Sequence, residues 1–212
     1  MTGIIDNIRV LLVDVLKESL MDEGVKKFRV AVGYFFMSGL KIILPELEQL
    51  VERGGEVNLL MGNYVNRRTF EDLVCAFKDV SMARSRQPSS LITREDREEL
   101  KRGINLDLSK QILFTPPTAE NEDYLTLLKQ WIRQNKFRLK IYTRERFHGK
   151  AYIFEAADSK SVTRPPVVGI VGSSNLTFSG LRSNTELNAA VYTQDVEALL
   201  QWFDKGWDEA DD

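Results

Sequence analysis

A chain of 212 residues, 43% of them hydrophobic, suits one domain with or without an insertion and has ample apolar material for a core. Its formal net charge of −2 argues against a generally sticky basic protein, and its single cysteine, Cys75, excludes an intramolecular disulfide and points to a reducing compartment. The apolar residues near the N-terminus are interrupted by Asp6, Arg9 and Asp14, so they read as neither a signal peptide nor a membrane span, and a cytoplasmic location is expected.

Residues 5–21 place apolar side chains at spacings of three and four with Asp6 early, which predicts a helix ended by Gly24. Residues 28–36 read as a strand. Ser38 is placed to cap a helix over about 39–53, stopped by Gly54-Gly55. Residues 56–61 form the next strand. This β-α-β spacing predicts parallel neighbours with a right-handed crossover. A further helix is expected over 66–84, with Cys75 buried in it. Residues 85–120 are irregular: Gln87-Pro88-Ser89-Ser90, a charged helical piece over 93–102, then Thr115-Pro116-Pro117. They read as an insertion or lid whose Arg84, Arg86, Arg94 and Arg97 reach substrate, or as a plain surface excursion.

Residues 121–136 predict a helix with Tyr124, Leu127, Leu128 and Trp131 on its core-facing side. Strands follow at 137–142, 150–155 and 167–171, then a turn or short helix at 175–181. A last strand is expected at 186–192 and a last helix at 195–210, with Trp202, Phe203 and Trp207 as its buried face. There is no internal repeat. There is also no G-x4-G-K-[ST] phosphate loop, so the chain is no helicase motor by itself. Charge is unevenly spread. Lys129, Arg133, Lys136, Arg138, Lys140, Arg144, Arg146 and Lys150 are set against one acid, Glu145, whereas the tail from Asp195 is acidic. Such a block is either a path for a polyanion or an ordinary solvated surface.

The block leads into the only histidine, His148, two residues before Lys150 at the mouth of a buried strand. An imidazole near neutrality serves as nucleophile or general acid. In extended backbone His148 and Lys150 face the same way, and Gly149 lets the main chain come close. The second apolar run, 167–171, ends in Gly172-Ser173-Ser174-Asn175. A cation plus hydroxyl and amide donors suits a tetrahedral phosphate. Each piece alone is commonplace: a His-x-Lys is usually a surface pair, and Gly-Ser-Ser-Asn usually a turn.

Together, His148-x-Lys150-x4-Glu155, Gly172-Ser173-x-Asn175 and Asn184-Thr185-Glu186 resemble the signature of the phospholipase D superfamily, His-x-Lys-x4-Asp, then Gly-Ser-x-Asn, then a downstream Glu. The sequences at 31–47 and 59–63 are similar to phospholipase D-like domains found in nucleases and at the N-termini of bacterial helicases. The resemblance covers most of the chain except about 85–120, and Glu155 is one methylene longer than the family's Asp. It implies one α/β domain over 1–212, an α/β/α sandwich around a central mixed, largely parallel sheet, with the insertion or lid at about 85–120. It further implies a metal-independent phosphodiesterase with no cofactor, cleaving nucleic acid, DNA rather than RNA, through a phosphohistidine. His148 would be the nucleophile, Lys150, Ser173 and Asn175 would hold phosphate oxygens, Glu186 would orient an imidazole, and Glu155 would stand behind them. Arg133, Lys136, Arg138, Arg144 and Arg146 would line the nucleic-acid path. Family members with one motif copy build their site from two chains, so a homodimer is expected, with the site at its two-fold axis. Two alternatives stay open. One is a catalytically weak nucleic-acid-binding or targeting domain, attached to or partnered with a helicase, DNA-defence or restriction system. The other is phospholipid hydrolysis, which no amphipathic membrane helix or hydrophobic loop favours.

Overall fold

The computed structural model describes residues 3–62, 98, 102–103, 118–145, 147–157 and 167–211. The expected helix at 66–84 with Cys75, the arginines at 84, 86, 94 and 97, almost all of the insertion and Arg146 lie outside the described residues. In chain order the elements are β1 (Ile4–Ile5), α1 (Leu12–Met21), β2 (Val25–Val32), α2 (Met37–Ile42), α3 (Leu44–Glu52), β3 (Glu56–Gly62), α4 (Ala119–Arg133), β4 (Phe137–Tyr142), β5 (Lys150–Ala156), β6 (Val167–Gly172), α5 (Phe178–Arg182), β7 (Asn188–Val191) and α6 (Thr193–Glu209).

The strands form one mixed sheet in the order β1-β7-β6-β5-β2-β3-β4. The α/β class and the mixed sheet are as expected, but the parallel share is smaller. Among the described strands only β2–β3 and β3–β4 run parallel, whereas β2–β5, β5–β6, β6–β7 and β1–β7 are antiparallel. The reason is the connections. Helices lie between β2 and β3 and between β3 and β4, as parallel neighbours require, whereas β5, β6 and β7 are successive strands paired directly with one another.

Two predicted helices begin or break differently. Residues 4–5 pair with β7, and α1 starts only at Leu12. Asp6, the expected early helix acid, instead accepts the backbone N–H groups of Ile8, Arg9 and Val10, and Asn7 (φ 55°) accepts that of Leu12. The helix expected over 39–53 is two helices meeting at Ile43, with Pro45 in the first turn of the second. Proline lacks the N–H that would continue the first helix and disfavours helical backbone just before it. Ser38 lies inside α2, and no side chain caps that helix.

Both faces of the sheet are covered. On one face Leu16, Leu40, Leu47, Phe28, Leu59, Trp131, Tyr152 and Phe154 pack α1 to α4 onto the strands. On the other face Ala31, Leu60, Phe147, Ala151, Ile153 and Phe203 pack the sheet against α6. Two-sided burial explains why residues 59–61 of β3 and 151–154 of β5 read as continuous apolar runs. Truncating a fully buried side chain such as Phe203 would cost about 3–5 kcal/mol.

Candidate active site

The strand register brings the motif residues to one end of the sheet. β2, β3 and β4 all finish there, and Lys150 opens β5 opposite Val32 at the end of β2. Val171, next to the last residue of β6, pairs with Ala151, and Asn188, which opens β7, pairs with Gly172. The carboxyl ends of parallel strands are where open α/β sheets hold ligands. Residues 147–149 lie across this end because of two glycines. A β-carbon on Gly33 would lie 3.2 Å from Phe147 O and 3.3 Å from His148 Cα, and one on Gly62 only 2.6 Å from Phe147 O.

His148 is exposed at this end. Lys150 is 7% exposed, and its ammonium donates to the carbonyl oxygen of His148 at 2.9 Å. The Ser173 hydroxyl donates to Glu186 Oε2 and accepts from Leu187 N at 3.0 Å, while Asn184 Nδ2 donates to Glu186 Oε1 at 3.2 Å. Both oxygens of the Glu186 carboxylate are therefore held. Asn175 Oδ1 accepts the Tyr34 N–H at 3.0 Å, which ties the Gly-Ser-Ser-Asn turn to the chain just beyond β2.

Residues not singled out by the sequence hold this turn from behind. Asn188 donates to Ser174 Oγ at 2.9 Å and accepts from Ser174 N at 3.3 Å, all buried. The Tyr152 hydroxyl donates to Ser174 O at 3.0 Å. Burial first, and the Glu186 charge second, push the Tyr152 phenol well above its ordinary range, so it stays a donor. Thr177 caps α5 by accepting Gly180 N at 2.9 Å. The only sequence signal for Asn188 is a polar residue opening an otherwise apolar strand.

Glu155 is not brought to this site. It lies five residues along β5 from Lys150, about 17 Å at the usual strand rise, and odd spacing turns it to the other face. There it pairs with Arg29, which also pairs with Asp204 of α6 and lies 5.4 Å over the Phe203 ring. Burial opposes the Arg29 charge, but Glu155 and Asp204 outweigh it and hold the guanidinium above its ordinary range.

The basic block is divided as well. Lys136 donates to Gly54 O at 3.1 Å, and Arg138 contacts Asn58 Oδ1 at 3.1 Å and Glu56 Oε1 at 3.2 Å, all toward the other end of β4. Arg133 closes α4 beside a shallow hollow with Lys129 and Gln130. Of the five, Arg144 alone among the described residues is placed with His148. Its Nε donates to Glu209 O at 3.2 Å.

Arg144, His148 and α6 border an open cleft of about 590 Å³, with Tyr142, Phe147 and Trp202 as its aromatic wall. Burial and a hydrogen bond to Glu209 raise the Tyr142 phenol. Trp202 corrects an expectation. It was expected on the buried face of the last helix, yet it is 40% exposed while its neighbour Phe203 is fully buried. Adjacent helix positions point about 100° apart, and α6 is rotated so that Phe203 lies at the centre of its buried side and Trp202 at the edge. No group of three or more His, Cys, Asp or Glu among the described residues could hold a metal ion, and no helix among them is long and apolar enough to cross a membrane.

The sequence model of the family described as cardiolipin synthase, phospholipase D-like domain, matches residues 18–207. No curated protein matches significantly by sequence. Phosphatidylserine synthase of Haemophilus influenzae Rd KW20 shares the fold, with a TM-score of 0.52 at 13% identity over 95% of this chain and 36% of that one. Also similar are Nuc of Salmonella typhimurium, a phospholipase D family member (TM-score 0.48, 15% identity, 94% of this chain and 89% of that one), and NucT of Helicobacter pylori (TM-score 0.48, 10% identity, 94% and 89%).

Proposed function

Since the chain belongs to the phospholipase D-like domain family, we propose that it is a metal-independent phosphodiesterase that cleaves nucleic acid through a phosphohistidine and works as a homodimer. One observation carries this reading: the only histidine is exposed at the sheet end, with the buried Lys150 ammonium against its own carbonyl. Neutral His148 attacks phosphorus, and the bond to the leaving oxygen breaks as that oxygen takes a proton. Water then gives a proton to the group that protonated the leaving oxygen and attacks the phosphohistidine, breaking the P–N bond to release the phosphate end and free the imidazole. Lys150 offsets the charge on the phosphoryl oxygens, helped by Ser173 and Asn175 donors once substrate competes for them. Glu186, already fixed by Ser173 and Asn184, is the carboxylate available to orient an imidazole.

A single imidazole cannot attack phosphorus and protonate the leaving oxygen on its far side at one moment. A second copy of the chain supplies the second His148. The surface around Ser173 and Glu186 supports this pairing. Leu187 is 63% exposed, and Phe178, Ile4 and Ile8 are exposed on segments joined to it through Asn184, Asn7 and β1. A helicase or defence assembly is the natural partner for a nuclease domain with no phosphate loop of its own.

The test incubates wild type and His148→Ala with labelled single- and double-stranded DNA and with phospholipid, and traps the acid-labile phosphohistidine. Cleavage of DNA by wild type alone is expected. Binding without cleavage would make the chain a targeting module, and cleavage of phospholipid alone would overturn the nucleic-acid reading.

A further inference from the structure

We infer that Trp202 is a stacking platform for a nucleobase next to the scissile phosphate. This rests on the nucleic-acid reading of the site and goes on to name what occupies the space beside it. The indole is held in place from behind. Its ring lies 5.5 Å from that of Phe147 at an interplanar angle of 22°, and a β-carbon on Gly149 would come 2.5 Å from Trp202 Cη2. Phe147 is itself buried, so one indole face is backed by a fixed ring and the peptide next to His148, and the side chain remains 40% exposed. An indole braced this way and still partly exposed, packed on the glycine that follows the proposed nucleophile, is an aromatic surface held ready at little entropic cost.

The rest of the cleft favours a heterocycle over other occupants. Lys205, Gly206 and Glu209 follow Trp202 at helix spacings of three, four and seven, so all stand on one side of α6. Gly206 is buried, and a β-carbon there would come 3.0 Å from Leu60 Cδ2, so it lets this side of α6 sit close to the sheet beneath the cleft. Arg144 and Lys205 are matched by Glu145 and Glu209, so the cleft has no excess positive charge to draw the scissile phosphate from Lys150, and Arg144 at its rim is left to meet a neighbouring phosphate of the same strand. A rim of charged and hydroxyl groups does not suit an acyl chain. It does suit a flat ring with donors and acceptors at its edge, since carboxylates accept from the ring N–H groups or amines that bases carry. The cleft, about 590 Å³, lies within the range of small-ligand sites. Stacking of this kind tolerates any base, so the site would prefer unpaired over paired strands without reading sequence.

The experiment measures binding by fluorescence anisotropy in the His148→Ala background, so that the probe is not cut. The probes are fluorescein-labelled octathymidylate and an abasic oligomer of the same length and charge. Trp202→Ala and Trp202→Leu should each weaken octathymidylate binding by about ten- to hundredfold, as base–aromatic stacking energies imply. Each should leave the abasic oligomer within about twofold, because phosphate contacts are untouched. Trp202→Phe, which keeps a π-face, should retain most of the affinity. Trp202→Leu keeps apolar volume against Phe147 and serves if the alanine variant does not fold. Equal weakening of both probes, or no weakening of octathymidylate, overturns the platform while leaving the nucleic-acid reading intact. Failure of the protein with Trp202 in place to bind either oligomer overturns both.

Discussion

Replacing Glu155 tests whether the acidic position of the first motif belongs to the reaction or to the scaffold. In the structure it belongs to the scaffold: the Arg29 side chain is only 12% exposed and lies between Glu155 on β5 and Asp204 on α6. Removing one partner of a buried ion pair costs about 3–5 kcal/mol, because a charge is left buried and uncompensated. Here Asp204 remains and Glu155 is itself 22% exposed, so Glu155→Leu should cost less, about 1–3 kcal/mol. Urea unfolding at neutral pH reads this directly as a lower midpoint. Arg29→Met combined with Glu155→Leu should recover most of the loss, because the one charge left without its partner, Asp204, is 54% exposed and solvated. Glu155→Asp, one methylene shorter, should fall between wild type and leucine. Phosphodiesterase turnover, measured where every variant is folded, should change by less than about threefold, since the carboxylate lies about 17 Å along the strand from Lys150. A stability loss under about 0.5 kcal/mol with a hundredfold loss of turnover would refute this and return Glu155 to the chemistry.

Cleavage should survive EDTA, because Lys150 and the imidazoles do the charge work of a metal; complete loss restored by magnesium would reject that mechanism. Titrating wild type with excess His148→Ala subunits should lower activity faster than the wild-type fraction, since heterodimers keep a nucleophile but lose its acid, and a linear fall would rule out the shared site. Arg144→Glu should weaken DNA binding and lower its salt slope by about one, whereas Lys136→Glu and Arg138→Glu should leave the slope unchanged, as read by anisotropy across salt concentrations. Asp6, held below its ordinary 3.8 by the N–H groups of Arg9, Ile8 and Val10, binds protons less readily folded than unfolded. Its contribution is complete at neutral pH and is lost as pH falls below 3.8, so the stability gap between wild type and Asp6→Ala should close in acid, and a gap that widens there would contradict the assignment.

Much of this molecule is written in neighbouring residues. The strand at Phe137–Tyr142, the runs that became β3, β5 and β6, and the spacing of His148, Lys150, Ser173 and Asn175 are local patterns, legible from periodicity and punctuation alone. The division of the helix after Gly39 was also local, in Pro45, though apolar spacing on either side masked it. What the tertiary structure decided depends on partners far apart in the chain. Asn175 meets Tyr34 across 141 residues, and Arg29 meets Glu155 across 126. No local pattern says that β5 lies antiparallel beside β2, and that pairing alone sets Lys150 against Val32 and carries Glu155 to the far end. The same holds for Trp202. Its helix could be read from the chain, but which of two adjacent aromatics faces the core depends on how α6 is rotated against the sheet, and only packing around Phe203 settles that rotation.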